Sequence, residues 1–254
     1  MTTPLDRRGL LLGTLFAAQV CGSTGFSMTL AVGAIMAAAI TGTNTWSGLP
    51  VAVSSLGAAL LSWPLSRLMS RLGRRREGLA LGYALGVLGA ALGIAGMLTA
   101  SFALFLAGMT LFGAGSTSNL LARYAAADVS PGSQRGRAMG LIVWGSTVGA
   151  IIGPNLMVPA ARLGALVGIS SVASSFLISM GAFGAAALLV QALLRPDPLA
   201  VARHLEHVEQ RAAATPRRVR MRSSREIFTE PRVIMALAAM TTGQLVMIGT
   251  TSTA

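Results

Sequence analysis

Seven stretches of this chain, 9–40, 49–69, 78–98, 102–126, 138–160, 166–194 and 233–253, each run for about twenty residues or more, and together they hold two charged side chains, Arg67 and Arg123. A hydrocarbon core about 30 Å thick is crossed by roughly 20 helical residues, so each stretch is long enough to span one. Inside a bilayer the backbone must satisfy its own hydrogen bonds, which leaves helices as the spanning form for runs of this length. The fold class that follows is all-α: a polytopic membrane protein with a six-helix N-terminal bundle and a seventh transmembrane helix. Only 11% of residues are charged, against about a quarter in a soluble globular chain, and 53% are hydrophobic. Those figures exclude a disordered chain, and the single Cys21 excludes an intrachain disulfide scaffold. The first stretch is also longer than the roughly 7–15 apolar residues of a signal-peptide core.

A formal charge of +12 and an isoelectric point near 11.8 would suit a nucleic-acid binder if the arginines lay on a polar surface. Eighteen of the twenty lie instead in the gaps between apolar runs. Nineteen of the twenty Arg fall on one side of the implied topology and only Arg162 on the other. By the positive-inside rule the crowded side is cytoplasmic. The expectation is therefore a multi-pass protein of the cell membrane with its N terminus inside and no nucleic-acid partner.

Three regions are expected: a bundle over 1–194, a cytoplasmic linker over 195–232, and the seventh helix over 233–254. Within the linker, 197–211 reads as an amphipathic helix, with Asp197 as cap, Pro198 in the first turn, and Val201, Leu205, Val208 and Ala212 on one face. The Arg cluster from Arg217 to Arg225 reads either as a contact for anionic lipid head groups or as a solvated linker. His204, His207 and Glu206 suggest a metal site, but an exposed amphipathic helix accounts for them; neither metal nor cofactor is expected.

Two segments carry motifs. Ser66–Arg76 reads SRLMSRLGRRR in the turn between the second and third spans, and the fifth span places Gly140, Gly149, Gly153 and Pro154 at fixed intervals. Gly145, Gly149 and Gly153 fall four apart and form a strip that another backbone can approach, while Pro154 removes an amide hydrogen and bends the helix. These patterns resemble the Major Facilitator Superfamily of secondary transporters. Arg71, Gly73, Arg74 and Arg75 match its signature loop, and the fifth span matches its drug/proton antiporter motif. The chain departs from the pattern at Ser66 and Ser70, where Gly and Asp are expected. It departs again at Met109, which stands where many drug exporters carry Arg, and at Met157 and Val158, where two glycines are expected.

The resemblance implies an efflux transporter working by alternating access, with proton antiport, and a central cavity lined by the first and fourth helices. On the first span Gln19, Ser23 and Ser27 share a face, and Ser116 and Asn119 share one on the fourth; these are the substrate-cavity candidates, the alternative being that such polar stripes bond neighbouring helices. With no Asp, Glu, Lys or His deep in any span, the expected substrate is a small uncharged or amphipathic molecule. No nucleophile, metal-protease or phosphate-loop pattern is present, so no catalysis is expected. Ser70, Arg71, Gly73, Arg74, Arg75 and Asp128, with the glycines and proline of the fifth span, are the conformational candidates, and Asp128 is expected to pair with an Arg of the loop. Seven spans suit about half of such a transporter, so the chain reads as truncated and in need of a complementary C-terminal half. The rival readings are a structural or assembly membrane protein, and a seven-helix receptor, which the inside N terminus disfavours.

Overall fold

The structure is a computed structural model; it describes residues 7–168, 170–203 and 205, together with 230, 231, 233–235, 238, 239 and 242. The chain divides into two compact units, Met1–Val208 and Glu209–Ala254. In the second unit, the amides of Val233 and Ile234 bond Glu230 O as a helix begins.

The first unit consists of α1 (Arg8–Thr41), α2 (Leu49–Leu72), α3 (Arg75–Leu98), α4 (Phe102–Asp128), α5 (Arg135–Asn155), α6 (Met157–Val167) and α7 (Ser171–Leu193). Six of these, all but α6, are long and apolar enough to cross a membrane. The protein is an all-α, multi-pass membrane protein. Its turns follow from local chemistry. Gly42 and Gly73 close α1 and α2 at φ 72° and 63°, conformations that a Cβ disfavours. Ser101 and Ser170 accept the amides of Leu104 and Ala173 and so start α4 and α7.

The fifth and sixth spans end differently from the sequence boundaries. The run 138–160 is interrupted: α5 stops at Asn155, Leu156 stands outside both helices, and α6 begins at Met157. Pro154, which has no amide to donate, sits two residues before Leu156. The sixth span begins at Ser171 rather than 166, because Gly168 turns left-handed at φ 72° and Ser170 caps the new helix. Most of the expected seventh span lies outside the described residues.

α3 packs along α4 and α7, α1 along α5 and α7, and α2 against α4. In lipid, close backbone approach does much of the work that water exclusion does in soluble cores. Gly89 and Gly108 show this between α3 and α4: a methyl group on Gly108 would stand 2.7 Å from Gly89 O. Phe112 of α4 meets Phe183 of α7 edge-on at 4.9 Å between ring centres. Polar contacts tie α1 to α7, where Thr29 Oγ1 donates to Ser179 Oγ at 2.8 Å and Ser179 Oγ donates to Gly25 O at 2.8 Å.

Candidate transport cavity and the arginine-rich end

A cavity of about 470 Å³ opens between α1, α2, α4 and α5. Gln19, Ser23 and Ser27 reach it from α1, Ser116 and Asn119 from α4, and Ser146 from α5. Gln19 is fully buried; its Nε2 donates to Ser146 Oγ at 2.7 Å and to Ser23 Oγ at 3.3 Å. Asn119 Oδ1 accepts the Tyr83 hydroxyl at 3.0 Å, which fixes the amide against α3. Ser27 Oγ donates to Thr24 O at 3.2 Å and Gly149 O at 3.4 Å. All five cavity candidates from the sequence therefore line one space, between helices that are far apart in the chain.

Arg123 lines the same cavity. It lies seven residues after Ser116 and four after Asn119, so helical periodicity places the three on one face of α4. That spacing was the available signal for Arg123. Ser146 and Tyr83 carried no comparable signal, because their role depends on which helices become neighbours.

The glycine strip of α5 seats α1. A methyl at Gly149 would stand 2.7 Å from Ser23 Cβ, and one at Gly153 would stand 2.8 Å from Thr24 O. A methyl at Gly145 would stand 3.1 Å from the Phe16 ring. Gly140 differs: nothing lies within 4 Å of where its Cβ would be, and it borders a separate pocket beside Arg8 and Arg137. Pro154 is exposed at the end of α5.

The other conformational candidates gather where α2 ends and α3 begins. Arg75 Nε donates to Asp128 Oδ2 at 2.8 Å, joining α3 to the end of α4. Ser70 Oγ donates to Ser66 O at 2.8 Å within α2, and Arg71 is exposed. Arg74 pairs with Glu77 at 2.7 Å; this hydrogen bond and the carboxylate charge raise the guanidinium pKa further. Gly73 turns the chain beside Arg203, whose Nη2 would lie 3.0 Å from a Cβ there.

Sequence reasoning assigned Asp197 only to its own helix, where its Oδ1 does accept the Leu199 amide at 2.9 Å. The same carboxylate also reaches α3, accepting the amides of Arg75 at 3.0 Å and Arg76 at 2.9 Å. α3 has no side-chain cap of its own, since Arg74 occupies that position and offers no acceptor. One acid thus satisfies the exposed amides of two helices, and Val201 and Leu205 bury beside it in the core. Among the described residues no group of three or more His, Cys, Asp or Glu could hold a metal. Glu206, His204, His207 and the cluster from Arg217 to Arg225 lie outside the described residues.

A family model described as Major Facilitator Superfamily matches residues 15–254. The chain belongs to the Major Facilitator Superfamily. Among Major Facilitator relatives, it is 31% identical over 209 residues to the "Uncharacterized MFS-type transporter YdeG" of Bacillus subtilis, covering 81% of this chain and 48% of that one. It is 34% identical over 200 residues to the "Uncharacterized MFS-type transporter YddS" of the same organism, covering 79% and 46%. A "Riboflavin transporter RfnT" of Brucella anthropi is 28% identical over 155 residues, covering 60% and 37%. The chain spans about half the length of the first two curated relatives. No solved structure matches it.

Proposed function

We propose that this bundle forms one half of a secondary transporter that exports a small amphipathic molecule by alternating access, coupled to proton entry. The observation that carries the reading is the cavity walled by the polar faces of α1 and α4 inside an otherwise apolar bundle. Family membership supports a rocking mechanism around such a site. The resemblance of Gly140, Gly149, Gly153 and Pro154 to the antiporter motif supports export by proton exchange. The one-sided Arg distribution supports a cell-membrane protein with a cytoplasmic N terminus. In this reading Gln19, Ser23, Ser27, Ser116 and Asn119 contact substrate. The Ser70–Arg75 loop, Asp128 and the α5 strip govern the conformational cycle, working against a complementary six-helix C-terminal half.

The test uses everted membrane vesicles in which a dye reports the proton gradient. With this chain and the second half of the YdeG relative produced together, adding an amphipathic solute such as fluorescein or N-phenylnaphthylamine collapses the gradient, and Gly149→Leu abolishes the response. Solute accumulation without proton movement would leave transport standing and refute antiport. No solute-dependent response from the paired halves, with both inserted, would refute the transport reading.

A further inference from the structure

Two polar atoms in the cavity wall have no partner among the described residues: Gln19 Oε1 on α1 and Arg123 Nε on α4. The first is an acceptor on a fully buried side chain whose Nε2 is already engaged twice. The second is a donor on Arg123, which among the described residues is the only acidic or basic side chain lining the cavity. A buried polar atom whose hydrogen-bonding capacity goes unused is costly, and the half-buried Arg123 has no carboxylate paired with it among the described residues. The acid nearest to Arg123 along α4, Asp128, is held by Arg75. Apart from the Asn119 amide, the remaining wall is apolar or hydroxylic, with Phe26, Ala58 and Leu120 facing the same space.

We propose that the ligand of this cavity is an amphipathic organic anion. Its carboxylate, sulfonate or phosphate meets Arg123, its apolar body lies against Phe26 and Leu120, and a hydroxyl or N–H on that body donates to Gln19 Oε1. The inference rests on the cavity being the transport path and narrows the substrate class to anions. Arg suits this role because it stays charged at all physiological pH values and presents several donors to one oxyanion.

The experiment compares two thiol reagents of similar size and opposite charge, sulfonatoethyl and trimethylammonioethyl methanethiosulfonate. They are applied to the full chain in detergent micelles. Cys21→Ala removes the native thiol, Ser116→Cys places one in the cavity, and Thr99→Cys places a control in the exposed α3–α4 turn. The anionic reagent is expected to react about tenfold faster relative to the cationic one at Ser116→Cys than at Thr99→Cys, given one nearby positive charge. Arg123→Gln brings the ratio to the control value and Arg123→Lys retains most of it. Benzoate slows labelling at Ser116→Cys, and the isosteric neutral benzamide does not.

A ratio unchanged by Arg123→Gln overturns the inference while leaving the cavity accessible. Failure of both reagents at Ser116→Cys, with Thr99→Cys reactive, overturns the cavity reading beneath it. Protection by phosphatidylglycerol in nanodiscs with none by benzoate would show that a lipid head group is the anion held there, which also overturns a soluble substrate.

Discussion

Asp197 and Asp128 show how single carboxylates organise one end of the bundle. Asp197 accepts three amides from two helices. Asp197→Ala is expected to lower stability by roughly 1–2 kcal/mol, as the loss of a helix cap usually does. Asp197→Asn keeps one acceptor oxygen and is expected to lose about half as much; thermal unfolding in detergent measures both. The Arg75–Asp128 pair has each side chain 23% exposed, so its contribution is modest. A double-mutant cycle with Arg75→Gln and Asp128→Asn is expected to give a coupling energy of about 1 kcal/mol. Asp128→Asn is also expected to alter conformational cycling, read from the labelling rate of Ser116→Cys during transport. An unchanged rate would restrict the pair to a static brace.

At the scale of elements, the contact between α1 and α5 decides whether the cavity keeps its shape. Gly149 and Gly153 lie under α1 with no room for a methyl group, whereas Gly140 has open space. Gly149→Ala is therefore expected to destabilise the bundle by about 1–3 kcal/mol through overpacking. Gly140→Ala is expected to be neutral, or stabilising by up to about 1 kcal/mol from helix propensity. Equal effects at the two positions, measured by unfolding in the same detergent, would show that the strip does not seat α1. The sequence spacing identified a small-residue strip at Gly145, Gly149 and Gly153. It could not say that Gly140 falls outside that contact, because only the course of α1 reveals which residues it covers. The break at Leu156 was similarly half-legible: Pro154 announced a disturbance, and only the structure shows a new helix starting at Met157 and packing against α7.

For the whole molecule, orientation and the cavity are linked. The arginine-rich ends of α2, α4 and α7 and the starts of α1, α3 and α5 lie at one end of the bundle, and Arg123 sits toward that end of the cavity. If that end is cytoplasmic, a soluble anion from the cell meets Arg123 first, in the direction export requires. In intact cells carrying Cys21→Ala, an impermeant maleimide is expected to label Thr99→Cys and to leave Ser70→Cys unlabelled until the membrane is opened. The reverse pattern would invert the topology and, with it, the direction of transport.

Sequence by itself determined the membrane class, the six described spans and the side on which the arginines collect. Each depends on the length of apolar runs or on where charge interrupts them, and both quantities are local. It also identified the polar faces of α1 and α4, since helical periodicity places Gln19, Ser23 and Ser27 together, and Ser116 and Asn119 together. Tertiary structure alone decided that these two faces share one cavity, that the Arg123 Nε in its wall finds no partner among the described residues, and that Asp197 caps α3 from more than 120 residues away. Those outcomes depend on which helices become neighbours, and that choice is made by many small contacts between backbones that no single stretch of sequence contains.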